Sequence, residues 1–102
     1  MSIWNLATLQ LEEFRPGIMS KAEIGENLIM VCMEIGPDME DTGHEHPFDQ
    51  CGVVLDGQIE MFIGNERHTF NPNESYFIPA NVRHGWKSFT DPVKLLDISA
   101  KP

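Results

Sequence analysis

The sequence predicts an all-β domain, built either as an antiparallel sandwich or as a barrel. Turn signals such as Pro16-Gly17, Asp56-Gly57 and Asn71-Pro72-Asn73 recur along most of the 102-residue chain. Short runs rich in Ile, Val, Phe, Leu and Met lie between them, and no long stretch has the periodicity of a helix. Short strands separated by regular turns are typical of these two architectures.

The apolar runs between the turns define the predicted strands. They cover residues 18–24, 28–35, 51–55, 58–63, 67–70, 76–78, 85–89 and 94–99. Ile59, Met61 and Ile63 alternate with their neighbours, which predicts a strand with one packed face. Asp56-Gly57 predicts a type I′ hairpin, because both residues tolerate the positive φ angles of that turn. The first dozen residues fit either an opening strand or a short helical turn.

Size and composition predict a single domain that covers residues 1–102. With 41% hydrophobic and 23% charged residues, the chain is close to an average globular protein. A chain of this length buries about 60–70% of its unfolded surface on folding. Its core therefore needs no disulfide or metal to hold it together.

Charge and hydropathy argue against nucleic acid and membranes as partners. Seven basic and 16 acidic residues give a net charge of −9, and such an acidic surface repels nucleic acid and anionic lipid. The longest mainly apolar run, residues 28–33, has about a third of the roughly 20 residues that span a bilayer. The N-terminus lacks the basic start and apolar core of a signal peptide.

Cys32 and Cys51 lack metal-site spacing, so we expect buried, reduced thiols in a cytoplasmic protein.

Three of the four histidines have a spacing that indicates a metal site. His44 and His46 are two residues apart, so both side chains project from the same face of an extended strand. Gln50 has the same parity if that strand stays regular, and His84 can return beside them across an antiparallel sheet. Three imidazoles and one amide oxygen would form a neutral ligand set for a divalent transition metal. Taken alone, the same residues also fit ordinary polar positions at strand ends and in a turn. His68 is expected to be a solvated strand residue.

The spacing of the first group resembles the first motif of the cupin family. That motif reads G-x5-H-x-H-x3,4-E-x6-G. The sequence matches it from His44-Glu45-His46, through Gln50, to Gly57. The leading glycine of the motif has no counterpart at the motif spacing, although residues 36–43 begin and end with glycine.

The second group resembles the second cupin motif, which reads G-x5-P-x-G-x2-H-x3-N. The sequence matches its spacing at five positions: Asn73, Pro79, Asn81, His84 and Ser88. Together the two motifs cover about half of the chain. A joint match of this kind is much more specific than a lone H-x-H.

The resemblance implies a double-stranded β-helix, or jelly-roll, with one metal site. It implies that a single divalent ion, Mn, Fe, Ni or Zn, is bound by His44, His46, Gln50 and His84. Gln50 replaces the usual acidic ligand, so the ion would keep its full positive charge. Such an ion suits polarisation of a carbonyl or hydroxyl better than it suits high-valent iron chemistry.

Within the cupins, the sequence is similar to the small single-domain proteins of pectin and alginate breakdown, which open unsaturated uronic acids to linear keto sugars. Residues 27–31, 44–50 and 95–98 carry this similarity. It implies that the metal holds the sugar's oxygen atoms while Asp97 transfers the proton. Asp97 also lies within an apolar run, where burial would raise the pKa of its carboxylate and suit it to acid–base work. An outward-facing strand residue is the alternative.

The sequence departs from that group beyond Asp97. Its members have an aromatic residue two positions after the acid, then an arginine that grips the substrate carboxylate. Here Ser99 stands at the aromatic position and no arginine follows it. Four other cations could bind an acidic substrate instead: Lys101, Arg15, Lys21 and Arg83.

Three functions therefore remain open at this point. The first is a metal-dependent isomerase or ring-opening enzyme that acts on a small sugar acid or related carbonyl compound. The second is a metal-dependent dioxygenase with Fe, Ni or Mn, and the third is a non-catalytic cupin that binds a small molecule. Phe48 and Trp86 fit either pocket walls or core packing. We expect a homodimer formed through residues 3–11, because an open jelly roll leaves sheet edges uncovered.

Overall fold

The computed structural model describes all residues from Met1 to Pro102 and contains ten strands and no helix. In chain order the strands are β1 (Glu12–Arg15), β2 (Ile18–Ile24), β3 (Leu28–Ile35), β4 (Glu40–His44), β5 (Gln50–Asp56), β6 (Ile59–Ile63), β7 (Glu66–Phe70), β8 (Ser75–Ile78), β9 (His84–Ser88) and β10 (Val93–Ala100). The predicted all-β class is confirmed.

The strands form two sheets in which every pairing is antiparallel. The six-stranded sheet has the order β1-β2-β3-β10-β5-β8, and the four-stranded sheet has the order β4-β9-β6-β7. From β3 onward the chain crosses repeatedly between the sheets, which is the jelly-roll pattern. The fold predicted through the resemblance is thus confirmed.

Apolar side chains from both sheets pack into one core. Val54 and Val93 in the larger sheet and Ile59 in the smaller one are fully buried, and all three belong to the same cluster. Ile59 and Met61 are buried while Ile63 packs partly against the cluster, which confirms the packed face predicted for β6. Burial of this apolar surface is the main source of stability, at about 25 cal/mol per Å².

Each predicted apolar run corresponds to a strand, but β1 and β4 were not predicted. Every residue of β1 is exposed, and the sequence of β4, EDTGH, is polar, so neither strand has the apolar pattern of a core strand. Of the two possibilities for the N-terminus, the structure shows a short turn around residues 6–8. The Thr8 amide donates to the Asn5 carbonyl there, at 3.1 Å.

The hairpin predicted at Asp56-Gly57 is wrong. β5 and β6 belong to different sheets and do not pair, so this turn is a crossover between sheets. Only Gly57 has a positive φ, +79°, whereas a type I′ turn needs two such residues. Two-residue hairpins lie instead at Pro16-Gly17, where Arg15 pairs with Ile18, and at Gly64-Asn65, where Ile63 pairs with Glu66 and Gly64 has a φ of +59°.

The two asparagines that replace motif glycines adopt the left-handed backbone expected of them. The φ angles are +72° at Asn73 and +65° at Asn81, and Asn tolerates this region better than most residues with a side chain. At the last motif position, the Ser88 hydroxyl donates to the Gly36 carbonyl and accepts from the Met39 amide, both at 2.8 Å. Ser88 thereby fixes the loop between β3 and β4.

Both cysteines are free, as expected, although only Cys32 is fully buried and Cys51 is partly exposed. The expectation of two buried thiols is therefore half right. The structure contains no helix long and apolar enough to span a membrane.

Candidate metal centre and acid–base pocket

A cavity of about 220 Å³ opens between the two sheets. That is room for about seven water molecules at ~30 Å³ each, and it is smaller than the roughly 300–1,000 Å³ of a typical ligand pocket. Its lining is mostly hydrophobic, and its polar members are Arg15, Asp41, His44, Gln50, Tyr76, His84 and Asp97. Such a cavity suits a small molecule held by a few polar contacts.

The structure brings three of the predicted metal ligands together. His44 and His84 are direct partners across the β4–β9 pair, and His46 follows two residues after the end of β4. The nearest ligand nitrogens of His44, His46 and His84 all lie within 4.8 Å of one another. The antiparallel pairing of β4 with β9 thus brings histidines that are distant in the sequence into one cluster.

Hydrogen bonds leave one ring nitrogen free on each of two histidines. His84 Nδ1 lies 3.0 Å from the Val82 carbonyl, so it donates, and the buried Nε2 atom has no partner. His44 Nδ1 lies 3.0 Å from the Asp41 carboxylate, which leaves its Nε2 free as well. Fixing one nitrogen of an imidazole in this way presents the other as a metal ligand.

The electrostatics of the cluster favour a neutral imidazole at His46. Burial, together with the neighbouring His44 and His84, lowers the pKa of His46. Burial alone would raise the pKa of Asp41, but hydrogen bonds from the Gly43 amide and from His44 outweigh it and lower that pKa. An ionised Asp41 thus accepts a hydrogen bond from the His44 ring and orients it.

Gln50 reaches the cavity by a different route from the one predicted. The condition of a regular strand from His44 to Gln50 is not met, because β4 ends at His44 and Gln50 begins β5 in the other sheet. The Gln50 Nε2 atom donates to both oxygens of Asp97, at 2.9 and 3.1 Å. Its Oε1 atom is buried and has no partner. The amide oxygen is therefore the atom that Gln50 can offer to an ion.

These donors fit a divalent metal ion. Three uncharged imidazoles and one amide oxygen make a ligand set suited to first-row transition metals, and two of the donor atoms, His84 Nε2 and Gln50 Oε1, are buried without a partner. A buried polar atom without a partner costs free energy unless a ligand satisfies it. Binding of a metal by His44, His46, Gln50 and His84 stays a prediction, as does the identity of the metal.

Asp97 faces the cavity rather than solvent. The Tyr76 hydroxyl donates to Asp97 Oδ2 at 2.5 Å, in addition to the two contacts with Gln50. Burial raises the pKa of Asp97, while the hydrogen bonds from Tyr76 and Gln50 oppose that rise. A buried carboxylate with a raised pKa is better suited to accept and return a proton than one in solvent.

Tyr76 is a site residue that the sequence analysis missed. It lies in β8, directly opposite Gly52 of β5, and a side chain on Gly52 would overlap the Tyr76 hydroxyl. A glycine inside an apolar strand often marks the close approach of another group. The glycine at position 52 was therefore the feature of the sequence that could have indicated a close neighbour such as Tyr76.

The remaining candidates divide between the cavity and the surface. Trp86 lines the cavity, and Phe48 stacks on His46 with ring centroids 4.7 Å apart and planes within 7°. His68 lies on exposed β7 with its Nε2 atom 3.6 Å from the Glu74 carboxylate, so it is the solvated residue that was expected.

The family model of the cupin domain matches residues 31–99, which include every residue of the cluster. The chain belongs to the cupin family. The match also includes Gln50 and Asp97. Cupins typically bind a metal, and the three clustered histidines accord with that property.

Two curated relatives show how such a domain is used in longer proteins. The chain is 27% identical over 85 residues to an H2HPP isomerase of Bacillus subtilis, covering 82% of this chain and 36% of that protein. It is 32% identical over 93 residues to a mannose-1-phosphate guanylyltransferase of Salmonella muenchen, covering 88% of this chain and 20% of that protein. The chain thus spans about a third of the first relative and a fifth of the second.

Solved structures of similar size share the whole fold. KdgF from Halomonas sp. superposes with a TM-score of 0.86 at 22% identity, covering 100% of this chain and 94% of that chain. A second protein, from Thermus thermophilus, gives a TM-score of 0.85 at 23% identity, with 98% of this chain and 97% of that chain covered. At these identities the likeness shows the fold.

Proposed function

We propose that this cupin is a metal-dependent isomerase or ring-opening enzyme that acts on a small sugar acid or related carbonyl compound. The observation that carries the proposal is the placement of Asp97. Asp97 lines the same cavity as Gln50 and His84, whose Oε1 and Nε2 atoms have no hydrogen-bond partner. Hydrogen bonds from Gln50 and Tyr76 hold its carboxylate in place. The similarity to an isomerase and the motif resemblance to uronate-opening cupins support the same class of reaction.

In this proposal His44, His46, Gln50 and His84 hold one divalent ion. When bound, the ion supplies Lewis-acid polarisation of a substrate carbonyl or hydroxyl oxygen. Asp41 contacts His44 Nδ1 and orients that ring. The Val82 carbonyl contacts His84 Nδ1 and orients the other ring in the same way.

Asp97 moves the proton. In ring opening, the hydroxyl on the anomeric carbon loses its proton and becomes a carbonyl, the bond from that carbon to the ring oxygen breaks with its electron pair going to the oxygen, and the resulting enolate takes the proton back on carbon. No atom is gained or lost, so one group that accepts and returns a proton is sufficient. Tyr76 and Gln50 hold the Asp97 carboxylate in position for this exchange.

Elemental mass spectrometry tests the metal centre. We expect about one ion per chain in the wild type and its loss in His84→Ala, because that variant removes the buried Nε2 donor. His68→Ala is the matched control, since His68 lies outside the cluster, and it should retain the ion. Equal metal content in all three proteins would overturn the assignment.

Turnover of an unsaturated uronate, followed by the loss of its alkene absorbance, tests the reaction. We expect activity in the metal-loaded wild type and a loss of about 10²–10⁴-fold in Asp97→Asn, with the metal retained. Asp91→Asn, on an exposed turn, is the control. Full activity of Asp97→Asn would remove the acid–base role. Saturable binding without turnover would favour the binding module, and a requirement for oxygen would favour the dioxygenase.

We also propose a homodimer formed through residues 3–11. Ile3 is 81% exposed, and Phe14, Ile24 and Leu28 are further exposed apolar side chains in the first three strands and their turns. The segment is not a strand, but the Lys94 ammonium donates to the Leu6 carbonyl and anchors it to β10. Light scattering should give a dimer that Ile3→Glu weakens, whereas a wild-type monomer at micromolar concentration would contradict the proposal.

Finally, we propose that residues 1–102 act as one domain in the cytoplasm, on a small-molecule substrate. One hydrophobic cluster draws side chains from both sheets, and both cysteines are free, as expected where thiols are kept reduced. Localisation of a tagged chain by cell fractionation tests the compartment; recovery from an oxidising compartment would contradict it.

A further inference from the structure

An irregularity in β1 brings two adjacent side chains to the mouth of the cavity. In the β1–β2 pair, Glu13 is opposite Met19 and Arg15 is opposite Ile18, so Phe14 is the extra residue of a bulge. Neighbouring residues of a regular strand face opposite sides, yet Phe14 and Arg15 both line the cavity. Both are also exposed, which places them at its open end. Bulges that redirect a side chain in this way are common beside active sites.

The turn that follows Arg15 is held in place. The Gly36 amide donates to the Gly17 carbonyl at 2.8 Å. Gly17 has a φ of +87°, and a side chain there would come within 2.7 Å of the Met39 sulfur. Arg15 therefore projects from a fixed turn rather than from a free end.

Arg15 is the only lysine or arginine that lines the cavity, and it makes no ion pair or hydrogen bond. The other three cations named from the sequence lie elsewhere. Arg83 lies against Gly43 and is 3.4 Å from the Thr42 carbonyl, Lys21 lies over the Trp4 ring at 5.9 Å, and Lys101 is exposed beyond β10. None of these three lines the cavity.

Acidic side chains around the cavity make its one basic side chain important for binding an anion. Asp41 and Asp97 line it, and the chain carries a net charge of −9, so beside the proposed ion Arg15 is the one basic side chain there that would attract an anionic substrate. A guanidinium pairs with a carboxylate or a phosphate through two parallel hydrogen bonds, and the sugar acid of the proposed function carries a carboxylate. We propose that Arg15 binds the carboxylate of the substrate at the mouth of the cavity. This inference rests on the proposed function and narrows its substrate class to carboxylates.

Nuclear magnetic resonance titration of zinc-loaded, ¹⁵N-labelled protein tests Arg15 without relying on turnover. The probes are D-galacturonate, its neutral methyl ester and galactose 6-phosphate. The reporter is the indole signal of Trp86, which lines the cavity, with the Trp4 indole as the reference. We expect galacturonate to bind more tightly than its ester, and Arg15→Gln to weaken galacturonate about 5- to 10-fold at this exposed position while leaving the ester unchanged.

Lys101→Gln is the matched control, because it changes the net charge equally and lies away from the cavity. Equal weakening in both variants would make the effect one of net charge and overturn the assignment of Arg15. Equal binding of acid and ester by the wild type, or no shift at any soluble concentration, would overturn the carboxylate class. Tighter binding of the sugar phosphate than of galacturonate would overturn it in favour of phosphate. Failure of the protein to bind zinc would instead count against the proposed function.

Discussion

Gln50 donates its side-chain amide to both carboxylate oxygens of Asp97, at 2.9 and 3.1 Å. This contact gives a physical reason for the amide at a position where the cupin motif usually has an acid. A carboxylate at position 50 would face that of Asp97 at about the same distance, and two such groups cannot both be ionised at low cost. An amide donates to Asp97 and keeps its own oxygen free toward the cavity.

Gln50→Glu should separate metal binding from turnover. We expect the variant to bind the metal at least as tightly, because a carboxylate is a stronger ligand for a divalent ion than an amide oxygen. Turnover should fall about 10²-fold, because Asp97 loses a donor and gains a like charge. Chelator competition measures the affinity, and uronate turnover measures the activity.

Gln10→Glu is the control for Gln50→Glu, since it makes the same chemical change at an exposed position. It should leave metal affinity and turnover as in the wild type. Full activity of Gln50→Glu would mean that Asp97 does not depend on the amide.

Tyr76→Phe should destabilise the fold in a pH-dependent way. Burial raises the pKa of Tyr76 well above its usual value, so its hydroxyl remains a donor to Asp97 at neutral pH. That hydrogen bond lowers the pKa of Asp97, so it favours the ionised carboxylate and its contribution is lost as pH falls through the pKa of Asp97. We expect a loss of about 1–3 kcal/mol at pH 8 and a smaller loss at pH 4.

Urea unfolding of the metal-free protein at the two pH values measures the Tyr76→Phe effect. Removing the metal matters because an ion beside Gln50 would change the charge that Asp97 experiences. A loss that is equal at both pH values, or larger at pH 4, would show that the hydroxyl does not favour the ionised carboxylate.

The histidine cluster could be predicted because the spacing of the two motifs identifies all three histidines before their pairing is known. His44 and His84 meet across β4 and β9, and the spacing of the two motifs is set by the loops that make that pairing possible. The apolar runs predicted eight strands because burial imposes a pattern of apolar residues on each strand separately. Polar strands such as β4 carry no such pattern.

Side-chain contacts between strands that are distant in the sequence could not be predicted. The pairing of Gln50 and Asp97 with Tyr76 depends on the register of β5 against both β10 and β8, which no single run of sequence specifies. The role of Asp56-Gly57 as a crossover depends likewise on which sheet the next strand joins. Arg15 was one of four candidate cations, and only the bulge in β1 distinguishes it from the others.

Gly52→Ala should weaken both the fold and the acid–base pocket. A Cβ atom at position 52 would overlap the Tyr76 hydroxyl and lie 2.6 Å from the Leu96 carbonyl, which is a backbone atom and cannot move alone. Overpacking of this kind costs about 1–3 kcal/mol. Because Tyr76 must shift, its hydrogen bond to Asp97 should also be lost, and turnover should fall with stability.

A double-mutant cycle separates the steric effect of Gly52→Ala from a general weakening of β5. The losses of unfolding free energy for Gly52→Ala and Tyr76→Phe should sum to more than the loss of the double variant, since both disrupt the same hydrogen bond. Gly25→Ala is the control, because its nearest neighbour, the Leu28 carbonyl, would be 3.4 Å away. Strict additivity, or a loss in Gly25→Ala as large as in Gly52→Ala, would show that room for the Tyr76 hydroxyl is not the reason for a glycine at position 52.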